Sequence, residues 1–568
     1  MTWRKNKCNS PEDDMQYYAG RWVARLGEKV IGQGGTPNQA LQAAKASRFK
    51  EKPEVSYVPT EKPIKLHPLT QRIQDIIPND KDCYLVGGAI RDSLLGKPIH
   101  DLDFVLPEGA VKVAKKIADA LAGAFYILDA TREIGRVVLE EPNGQRLLLD
   151  FSIFQGPNLE SDLIARDFTI NSLAVKITQP DLLLDPLGGL RDLQEKQLRA
   201  CSSRSFINDP VRIMRAVRLA AAFELHILPE TRELIQSAIP LLPKVSPERL
   251  RDELFRILAD QQPAKAIHAL DILGAINYIL PELTQLKGVT QSPPHTSDVW
   301  IHTLKVVNKL EILLDELLNK SKQKYEKNLW MNMVSRRLGF YQDHVSSHLE
   351  TPIVVDRSIR PLLFMAALYH DIGKPNSQTV DENGRIRFFK HDKLGAEIAA
   401  RRAQLLHLSN SEITRLEGIV RHHLRPLLLT QTGKPLTRRA IYHFYRDCGT
   451  AGIDICLLSM ADILGTYGDT IPPEKWSKHL DTILGLFEAW WEQSEANVNP
   501  PPLINGRDLL RELNLEPGPL IGKLLESIKE AQAMGQVATR QEALRYAEKM
   551  LSEENEGEIE RKDPKADY

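Results

Sequence analysis

The stretch that most constrains the fold is residues 84–105, which reads YLVGGAIRDSLLGKPIHDLDFV. A short apolar strand leads into two glycines, where main-chain N–H groups can approach a phosphate closely because no side chain intervenes. A helical run that contains Arg91 then leads to a second strand, on which Asp101 and Asp103 point to the same face. Two neighbouring carboxylates repel each other unless a cation lies between them, and oxygen ligands suit Mg²⁺. The stretch therefore predicts a magnesium and phosphate site rather than two surface aspartates.

Composition narrows the class of protein only weakly. The formal net charge of the 568 residues is −1, so any surface that binds nucleic acid must be a local basic patch. No apolar run reaches the roughly 18 residues of a membrane span, and the N-terminal residues lack the apolar core of a signal peptide. We therefore expect about three to five domains, a cytoplasmic location and no membrane partner.

The pattern GGxxRDxLLGxxxxDxD within this stretch resembles the head motif of the class II nucleotidyltransferases, which are the tRNA CCA-adding enzymes and bacterial poly(A) polymerases. The resemblance implies a polymerase-β-like head in which Asp101 and Asp103 hold Mg²⁺. It also implies that Gly88 and Arg91 hold the triphosphate of a nucleotide. Asp150, at the end of another predicted strand, either completes a carboxylate trio or is a simple strand-end residue.

A second motif lies at residues 162–174, which read DLIARDFTINSLA and resemble the family motif RRDFTINA. Ala165 stands where the family has its first arginine. By this resemblance Arg166, Asp167 and Asn171 contact the ribose and triphosphate. The alternative from the residues alone is a surface turn beside a buried amphipathic segment.

A third motif, NDPVRIMRAVRL at residues 208–219, resembles the base-reading motif E-D-x-x-R, with Asn208 in the place of Glu. Its helix carries a basic stripe of three arginines spaced three residues apart: Arg212, Arg215 and Arg218. Asp209 as acceptor and Arg212 as donor match the edges of cytosine and adenine, whereas uracil and guanine would leave polar groups unpaired. The resemblance places all four charged residues in the nucleotide site. The alternative is an ordinary helix-capping Asp with surface arginines.

A second constellation has the order H…HD…H…H…D, which resembles the HD phosphohydrolase superfamily. Neutral imidazoles and carboxylates suit a divalent metal, here Ni²⁺, Co²⁺, Mn²⁺ or Mg²⁺. The resemblance implies that one metal ion is held by four residues: His302, His370, Asp371 and Asp462. His391 and His422 could hold a second ion. Alternatively, this segment serves only as a helical body.

The predicted fold class is α+β, with a polymerase-β-like nucleotidyltransferase head, a mostly α-helical neck, HD body and tail, and a small α/β N-terminal appendage. The head includes a predicted hairpin turn at Asn143-Gly144. The tail resembles the segment that holds the tRNA elbow in CCA-adding enzymes. The predicted boundaries are 1–62 for the appendage and linker, 63–205 for the head, 206–290 for the neck, 291–495 for the HD domain, 496–552 for the tail and 553–568 for a disordered end.

Three functions remain open at this stage. The first is a tRNA CCA-adding enzyme, or a relative that adds only CC or only A, using CTP and ATP at the tRNA 3′ end without an obligate protein partner. The second is a poly(A) polymerase, and the third is an HD phosphohydrolase with an inactive head. The HD segment and the tail favour the first function over the second, and the intact D-x-D argues against the third.

Overall fold

The computed structural model describes residues 15–46, 51–62, 64–78, 81–99, 101–140, 146–318 and 329–561. The predicted hairpin turn at Asn143-Gly144 lies outside these residues. The chain divides into two compact units, Met1–Val245 and Ser246–Tyr568. The division falls within the stretch predicted as the neck, and the individual domain boundaries stay predictions.

The first unit begins with a small antiparallel sheet of order β2-β1-β3, covered by one helix. Its elements are β1 (Trp22–Leu26), β2 (Lys29–Gly34), α1 (Pro37–Ala46) and β3 (Glu54–Tyr57). The indole Nε1 of Trp22 donates a hydrogen bond to the carbonyl of Pro186 at 3.1 Å. The appendage is therefore tied to the head by a buried polar contact as well as by the chain.

The head is an eight-stranded sheet with helices in its connections. Its strands are β4 (Thr60–Glu61), β5 (Tyr84–Val86), β6 (Asp101–Leu106), β7 (Ala124–Asp129), β8 (Ile134–Glu140), β9 (Arg146–Ile153), β10 (Ala174–Lys176) and β11 (Leu182–Leu184). Its helices are α2 (Leu69–Ile76), α3 (Gly88–Leu94), α4 (Ala110–Leu121), α5 (Leu159–Ala165) and α6 (Gly189–Gln194). The strand order is β4-β11-β10-β5-β6-β9-β8-β7. Strands β6 and β9 are parallel, and the other pairs are antiparallel. Strand β4 lies in the stretch expected to be a linker, which thus contributes to the head sheet.

One face of this sheet forms the core of the head. Leu102 and Phe104 of β6 point into it, and they pack with Leu149 and Phe151 of β9. The rings of Phe104 and Phe151 stack with their centroids 4.8 Å apart. Because side chains alternate along a strand, the carboxylates of β6 must point to the opposite face.

The rest of the first unit is helical apart from one short parallel pair of strands. The elements are β12 (Gln197–Leu198), α7 (Ser205–Asn208), α8 (Arg212–Phe223), β13 (His226–Ile227) and α9 (Pro229–Ala238). Helix α8 carries the predicted arginine stripe, and its apolar side is buried through Ile213, Met214 and Val217.

The second unit is mainly helical. Its first elements are α10 (Pro247–Ala259), α11 (Pro263–Ile272), α12 (Ile276–Ile279), α13 (Val299–Leu317), α14 (Leu329–Leu338), α15 (Gln342–Glu350), β14 (Pro352–Val354), β15 (Arg357–Ser358) and α16 (Ile359–Tyr369). They are followed by β16 (Gln378–Val380), β17 (Ile386–Phe388), α17 (His391–Leu405), α18 (Asn410–His422), α19 (Arg425–Gln431), α20 (Arg438–Cys448), α21 (Gly452–Tyr467) and α22 (Pro473–Trp491). The tail contains α23 (Gly506–Glu512), α24 (Pro519–Ala533) and α25 (Arg540–Arg561), around a small apolar core of its own.

The C-terminal end and one apolar stretch of this unit differ from what the sequence suggested. The end predicted to be disordered, 553–568, is helical as far as Arg561, because its Glu-rich residues are good helix formers that continue α25. Residues 562–568 lie outside the described residues. The stretch Arg438–Thr470 is long and apolar enough to cross a membrane, but 83% of its most apolar window is buried within the protein. Such burial is typical of core helices.

Candidate active site and metal centre

Strand pairing brings three predicted carboxylates together on the face of the head sheet opposite its main core. We call it the open face, although Leu163 of α5 packs on Val86 and Val105 there. Asp103 of β6 lies directly opposite Asp150 of the parallel strand β9. Asp101 is two residues before Asp103 and therefore shares its face. The predicted proximity of the three aspartates is present in the fold, and their role as metal ligands stays a prediction.

The electrostatics of Asp103 suit a bound cation. Burial raises the pKa of Asp103 to about 6, and the neighbouring carboxylates of Asp150 and Asp101 act in the same direction. The guanidinium groups of Arg166 and Arg215 partly oppose this rise in pKa. Crowded carboxylates need a proton or a cation to neutralise them, so this oxygen donor set fits Mg²⁺.

Asp150 has a partner that the sequence did not reveal. Arg136, directly opposite on β8, donates from Nε and Nη2 to its two carboxylate oxygens at 2.8 and 2.7 Å. This two-point ion pair fixes the plane of the carboxylate. An arginine between apolar residues of a strand is expected to point away from the core. Only the register of the neighbouring strands shows that its partner is Asp150.

The two glycines of the first motif approach charged groups closely. Gly87 has φ +80°, and a Cβ there would lie 3.2 Å from Oδ2 of Asp103 and 3.3 Å from Nη1 of Arg166. A Cβ on Gly88, the residue singled out from the sequence, would lie 3.2 Å from Nη2 of Arg91. Glycine at position 87 thus keeps the space between the carboxylate and Arg166 open and allows the left-handed backbone.

Hydrogen bonds connect the first and second motifs with helix α8. Arg91 donates to Oδ1 of Asn171 at 2.5 Å, and Asn171 donates to Oδ1 of Asp167 at 3.0 Å. Arg215 donates to Oδ2 of Asp167 at 3.0 Å. Burial alone would raise the pKa of Asp167, but Arg215 and Asn171 hold it below its usual value. These hydrogen bonds form a continuous chain from Arg91 through Asn171 and Asp167 to Arg215. All four side chains are buried or half-buried.

The predicted base-reading pair is close but not in hydrogen-bonding contact. Nε of Arg212 lies 3.9 Å from Oδ2 of Asp209. The same guanidinium donates through Nη2 to the carbonyl of Ala165 at 2.9 Å and through Nη1 to the carbonyl of Arg166 at 3.1 Å. Arg212 thus fixes α8 against the second motif, which its spacing in the sequence did not indicate. Arg218 lies further along the same helix and is half-buried.

Arg166 is oriented by an acid that was also missed from the sequence. Its Nε and Nη2 donate to Oδ2 of the buried Asp162 at 3.1 and 3.0 Å. Oδ1 of Asp162 accepts from the main-chain N–H of Gln155 at 2.9 Å. The spacing of four residues between Asp162 and Arg166 is the sequence signal for such a helical ion pair.

The second constellation forms a buried cluster within the second unit. His302 lies on α13, His370 and Asp371 follow α16, His391 begins α17, and Asp462 lies on α21. Nε2 of His302 is 3.0 Å from Oδ1 of Asp462 and 3.6 Å from Oδ2 of Asp371. Nε2 of His370 is 3.2 Å from Oδ2 of Asp371, and Nε2 of His391 is 3.5 Å from its Oδ1.

The structure brings His423, rather than His422, into this cluster. His422 is the last residue of α18, and neighbouring residues of a helix point about 100° apart, so only one of the two can face inward. His423 is buried, with its ring centroid 5.4 Å from that of His370 and 5.5 Å from that of His391. His422 instead lies among Arg425, Arg421 and other charged side chains. The predicted position of His422 in the cluster is therefore wrong: His423 occupies it, and its role as a metal ligand is a prediction.

Three histidines are held with Nε2 directed into the cluster. Nδ1 of His370 lies 2.8 Å from the carbonyl of Ala367, Nδ1 of His391 lies 2.8 Å from that of Phe388, and Nδ1 of His423 lies 2.7 Å from that of Val420. A carbonyl can only accept, so Nδ1 carries the proton and Nε2 keeps its lone pair. This arrangement is the usual support of a metal-binding histidine.

The donor set fits divalent metal ions. The Nε2 atoms of four histidines are buried without a hydrogen-bond partner: His302, His370, His391 and His423. Among the described residues, two triads have their ligand atoms within 4.8 Å of one another: His302 with His370 and Asp371, and Asp371 with His391 and His423. Asp371 belongs to both triads, so its two oxygens can serve two neighbouring ions.

Two further groups border the cluster. Nζ of Lys374 lies 2.7 Å from Oδ2 of Asp371 and donates to Oε1 of Gln291 at 2.7 Å. The ring of His295 meets that of His302 edge to face at 4.8 Å, and burial lowers the pKa of His295 to about 4. His295 was not predicted from the sequence, because it lies in a loop with no helical spacing to the other ligands.

Four family models match successive parts of the chain. They are "Poly A polymerase head domain" at residues 83–199, "Probable RNA and SrmB- binding site of polymerase A" at 224–287, "HD domain" at 299–448 and tRNA nucleotidyltransferase domain 2 at 498–547. The matched order confirms the predicted α+β fold class, with its polymerase-β-like head, helical neck and HD domain.

Curated relatives match over most of the chain. The A-adding tRNA nucleotidyltransferase of Deinococcus radiodurans is 30% identical over 83% of this chain and 95% of its own length. The CC-adding tRNA nucleotidyltransferase of Thermus thermophilus is 31% identical over 82% of this chain and 92% of its own. The structure of a CCA-adding enzyme in apo form I has the same fold, with a TM-score of 0.51 at 20% identity over 85% of this chain and 92% of that chain. From the carboxylates of the head, the buried HD cluster and these matches, we conclude that the chain belongs to the class II tRNA nucleotidyltransferase and poly(A) polymerase family, among the members with an HD domain.

Proposed function

We propose that this chain transfers CMP or AMP from CTP or ATP to the 3′ end of tRNA. The observation that carries the proposal is the row of carboxylates on the open face of the head sheet, with Asp103 directly opposite Asp150 and beside Gly87. The relatives that match over most of the chain support the tRNA substrate, since they are A-adding and CC-adding enzymes. Multifunctional CCA proteins match only about 40% of the chain, which favours partial addition, either CC or A, over complete CCA synthesis.

Residues of the head would share the steps of the proposed transfer reaction. Mg²⁺ held by Asp101 and Asp103 would activate the 3′ hydroxyl of the RNA and neutralise the leaving pyrophosphate. Arg166, held by Asp162, and Arg91, held by Asn171 and Asp92, are the cations proposed to contact the triphosphate. Asp150, held by Arg136, would complete the carboxylate trio beside Asp101 and Asp103.

The test uses tRNA that lacks one, two or three terminal nucleotides, offered with each of the four nucleoside triphosphates separately. We expect addition of CMP or AMP to at least one of these tRNAs and no addition of UMP or GMP. A tRNA with a complete 3′ end should not be extended. Long adenylate tails on unrelated RNA, with equal efficiency, would instead identify a poly(A) polymerase.

A prediction for base selection follows from the position of Asp209. Replacing Asp209 with Ala removes an acceptor for the exocyclic amino group of cytosine or adenine, while the groups assigned to the triphosphate remain. We expect selectivity against UTP and GTP to fall about 10- to 100-fold, as estimated for one buried hydrogen bond to a charged group. The measurement is kcat/KM for each of the four triphosphates.

The matched control for this test is Glu195→Ala, which removes an exposed acid that pairs with Arg191 in the same unit. It should leave selectivity unchanged. Arg212→Ala should lose selectivity too, but it also removes the bonds to the carbonyls of Ala165 and Arg166, so its thermal stability must be measured alongside. Unchanged selectivity in Asp209→Ala would show that other groups read the base.

A second candidate activity is favoured by the buried Nε2 atoms of the HD cluster. We propose that this cluster binds Ni²⁺, Co²⁺, Mn²⁺ or Mg²⁺ and hydrolyses a phosphoester independently of the head. Asp462 lies beside His302 and would add a fourth ligand to the first triad. Small or terminal phosphoesters, such as a 2′,3′-cyclic phosphate at an RNA end, are the proposed substrate class. Cytoplasmic location and the absence of an obligate protein partner stay predictions.

A further inference from the structure

A row of directly paired residues crosses the head sheet from the catalytic carboxylates to its edge. Asp103 is opposite Asp150, Asp150 is opposite Arg136, and Arg136 is opposite Tyr126 on β7. Directly paired residues of neighbouring strands point to the same face. Tyr126 therefore shares the open face with the carboxylates, although it is distant from them in the sequence.

The neighbours of Tyr126 on β7 confirm this orientation. A Cβ on Gly135 would lie 2.9 Å from Ala114 of α4 and 3.3 Å from the ring of Phe125, so Gly135 and Phe125 face the helix that covers the core. Ile127 is directly opposite Gly135 and points the same way. Tyr126, between Phe125 and Ile127, must point away from α4.

Tyr126 belongs to a partly open surface. Strand β7 is the last strand of the sheet, and the residue is 55% exposed. In the next row Val138 is opposite Leu148, which is opposite Asp101, and both aliphatic side chains are half-buried. We call Tyr126, Val138 and Leu148 the outer shelf. It is an aromatic and aliphatic surface that is continuous with the carboxylates.

The two sides of Asp103 differ chemically. On the β5 side, Gly87 and Arg166 approach its carboxylate, and this is where the triphosphate is proposed to lie. In phosphoryl transfer the attacking and leaving oxygens lie roughly in line on opposite sides of the phosphorus. If the pyrophosphate leaves on the β5 side, the 3′ hydroxyl of the RNA must approach from the side of β9, β8 and β7. The outer shelf lies on this approach.

The distance between Tyr126 and the carboxylates suits a residue that binds a nucleotide next to the reacting one. Adjacent strands are about 4.8 Å apart, so Tyr126 is about 10 Å from the row position of Asp150 and about 15 Å from that of Asp103. Bases of single-stranded RNA stack on exposed aromatic side chains whatever their sequence. Arg136 lies between Tyr126 and Asp150, but its charge is paired with that of Asp150, so the shelf offers stacking rather than charge.

We propose that Tyr126 stacks on a base adjacent to the 3′ end of the acceptor RNA and so positions the terminal hydroxyl, with Val138 and Leu148 completing the shelf. The inference rests on the proposed function and assigns a positioning residue to it. Tyr126 does not contact the reacting atoms, so its loss should weaken RNA binding more than it slows the chemical step.

The test compares Tyr126→Ala with wild type on tRNA lacking its terminal nucleotides. We expect KM for the tRNA to rise about 5- to 100-fold, the range typical of removing one stacked base, while KM for the nucleoside triphosphate stays unchanged. Tyr126→Trp should retain tight binding, whereas Tyr126→Leu should behave like the alanine variant. Direct binding of the tRNA without nucleotide, measured by filter retention, should follow the same order.

The matched control is Ile127→Ala, because Ile127 is the next residue, is 54% exposed and points to the other face. It should leave both KM values unchanged. Equal KM for the tRNA in Tyr126→Ala and wild type would overturn the proposal, and so would a parallel rise in KM for the nucleotide. If sedimentation shows a wild-type dimer that Tyr126→Ala dissociates, the edge strand is covered by a second copy and the proposal is wrong. If wild type adds no nucleotide, the proposed function itself is wrong. Stacking by Tyr126 is then still tested by comparing tRNA binding of wild type and Tyr126→Ala.

Discussion

Replacing Asp103 with Ala is expected to abolish nucleotide addition, with a loss of about 10³-fold or more in kcat, while tRNA binding survives. Asp103 is the central member of the row, opposite Asp150 and two residues from Asp101. Removing it leaves two carboxylates on different strands, which cannot hold the metal in the same place. Asp101→Ala should lose nearly as much activity. The measurement is single-turnover incorporation of labelled nucleotide at saturating tRNA.

Asp103→Asn separates the charge of this residue from its shape. Since the folded-state pKa of Asp103 is raised to about 6, its protonation stabilises the metal-free fold at low pH, and that stabilisation is lost as pH rises through 6. Without metal, Asp103→Asn should therefore unfold at higher temperature than wild type at pH 7.5. In wild type, protons compete with Mg²⁺, so the apparent Mg²⁺ affinity should fall below about pH 6. Near-normal turnover of either Asp103 variant would contradict the proposed role of Asp103 in holding Mg²⁺.

Replacing His370 and Asp371 together with Ala is expected to remove both divalent metals from the HD cluster and all phosphodiester hydrolysis. Asp371 belongs to both triads and His370 to the first, so one ion would lose two of its protein ligands and the other would lose the carboxylate they share. The substrates to use are p-nitrophenyl phosphodiester and a 2′,3′-cyclic nucleotide, with Ni²⁺, Co²⁺, Mn²⁺ and Mg²⁺. Metal content of the purified protein, by elemental analysis, gives a readout that does not depend on hydrolysis.

Two controls make this result specific. Asp101→Ala should hydrolyse the phosphodiester as wild type does, because the head and the HD cluster hold their metals separately. His422→Ala and His423→Ala form a matched pair of adjacent histidines, of which only His423 faces the cluster. We expect His423→Ala to lose about one metal ion per chain and His422→Ala to lose none. If wild type contains no metal and hydrolyses neither substrate, the HD segment is a structural body.

The sequence by itself determined the local geometry of both sites. The D-x-D pair shares a face because side chains alternate along any strand, whatever the strand pairs with. The three head motifs were likewise readable, because each lies within one short stretch of the chain, and the histidines and aspartates of the HD segment were readable from their order. The family and the α+β class could be predicted for the same reason. Few architectures other than that of this family contain these motifs in this order.

The tertiary structure decided which residues meet across elements. The row from Asp103 through Asp150 and Arg136 to Tyr126 depends on strand register, and a slip of one residue would turn every second side chain to the opposite face. Likewise, the choice of His423 over His422 depends on how the end of α18 is rotated, because two adjacent histidines are equivalent in the sequence but differ by about 100° around the helix axis. Register and rotation are fixed by packing with distant parts of the chain, and it is this packing that selects the residues of each site.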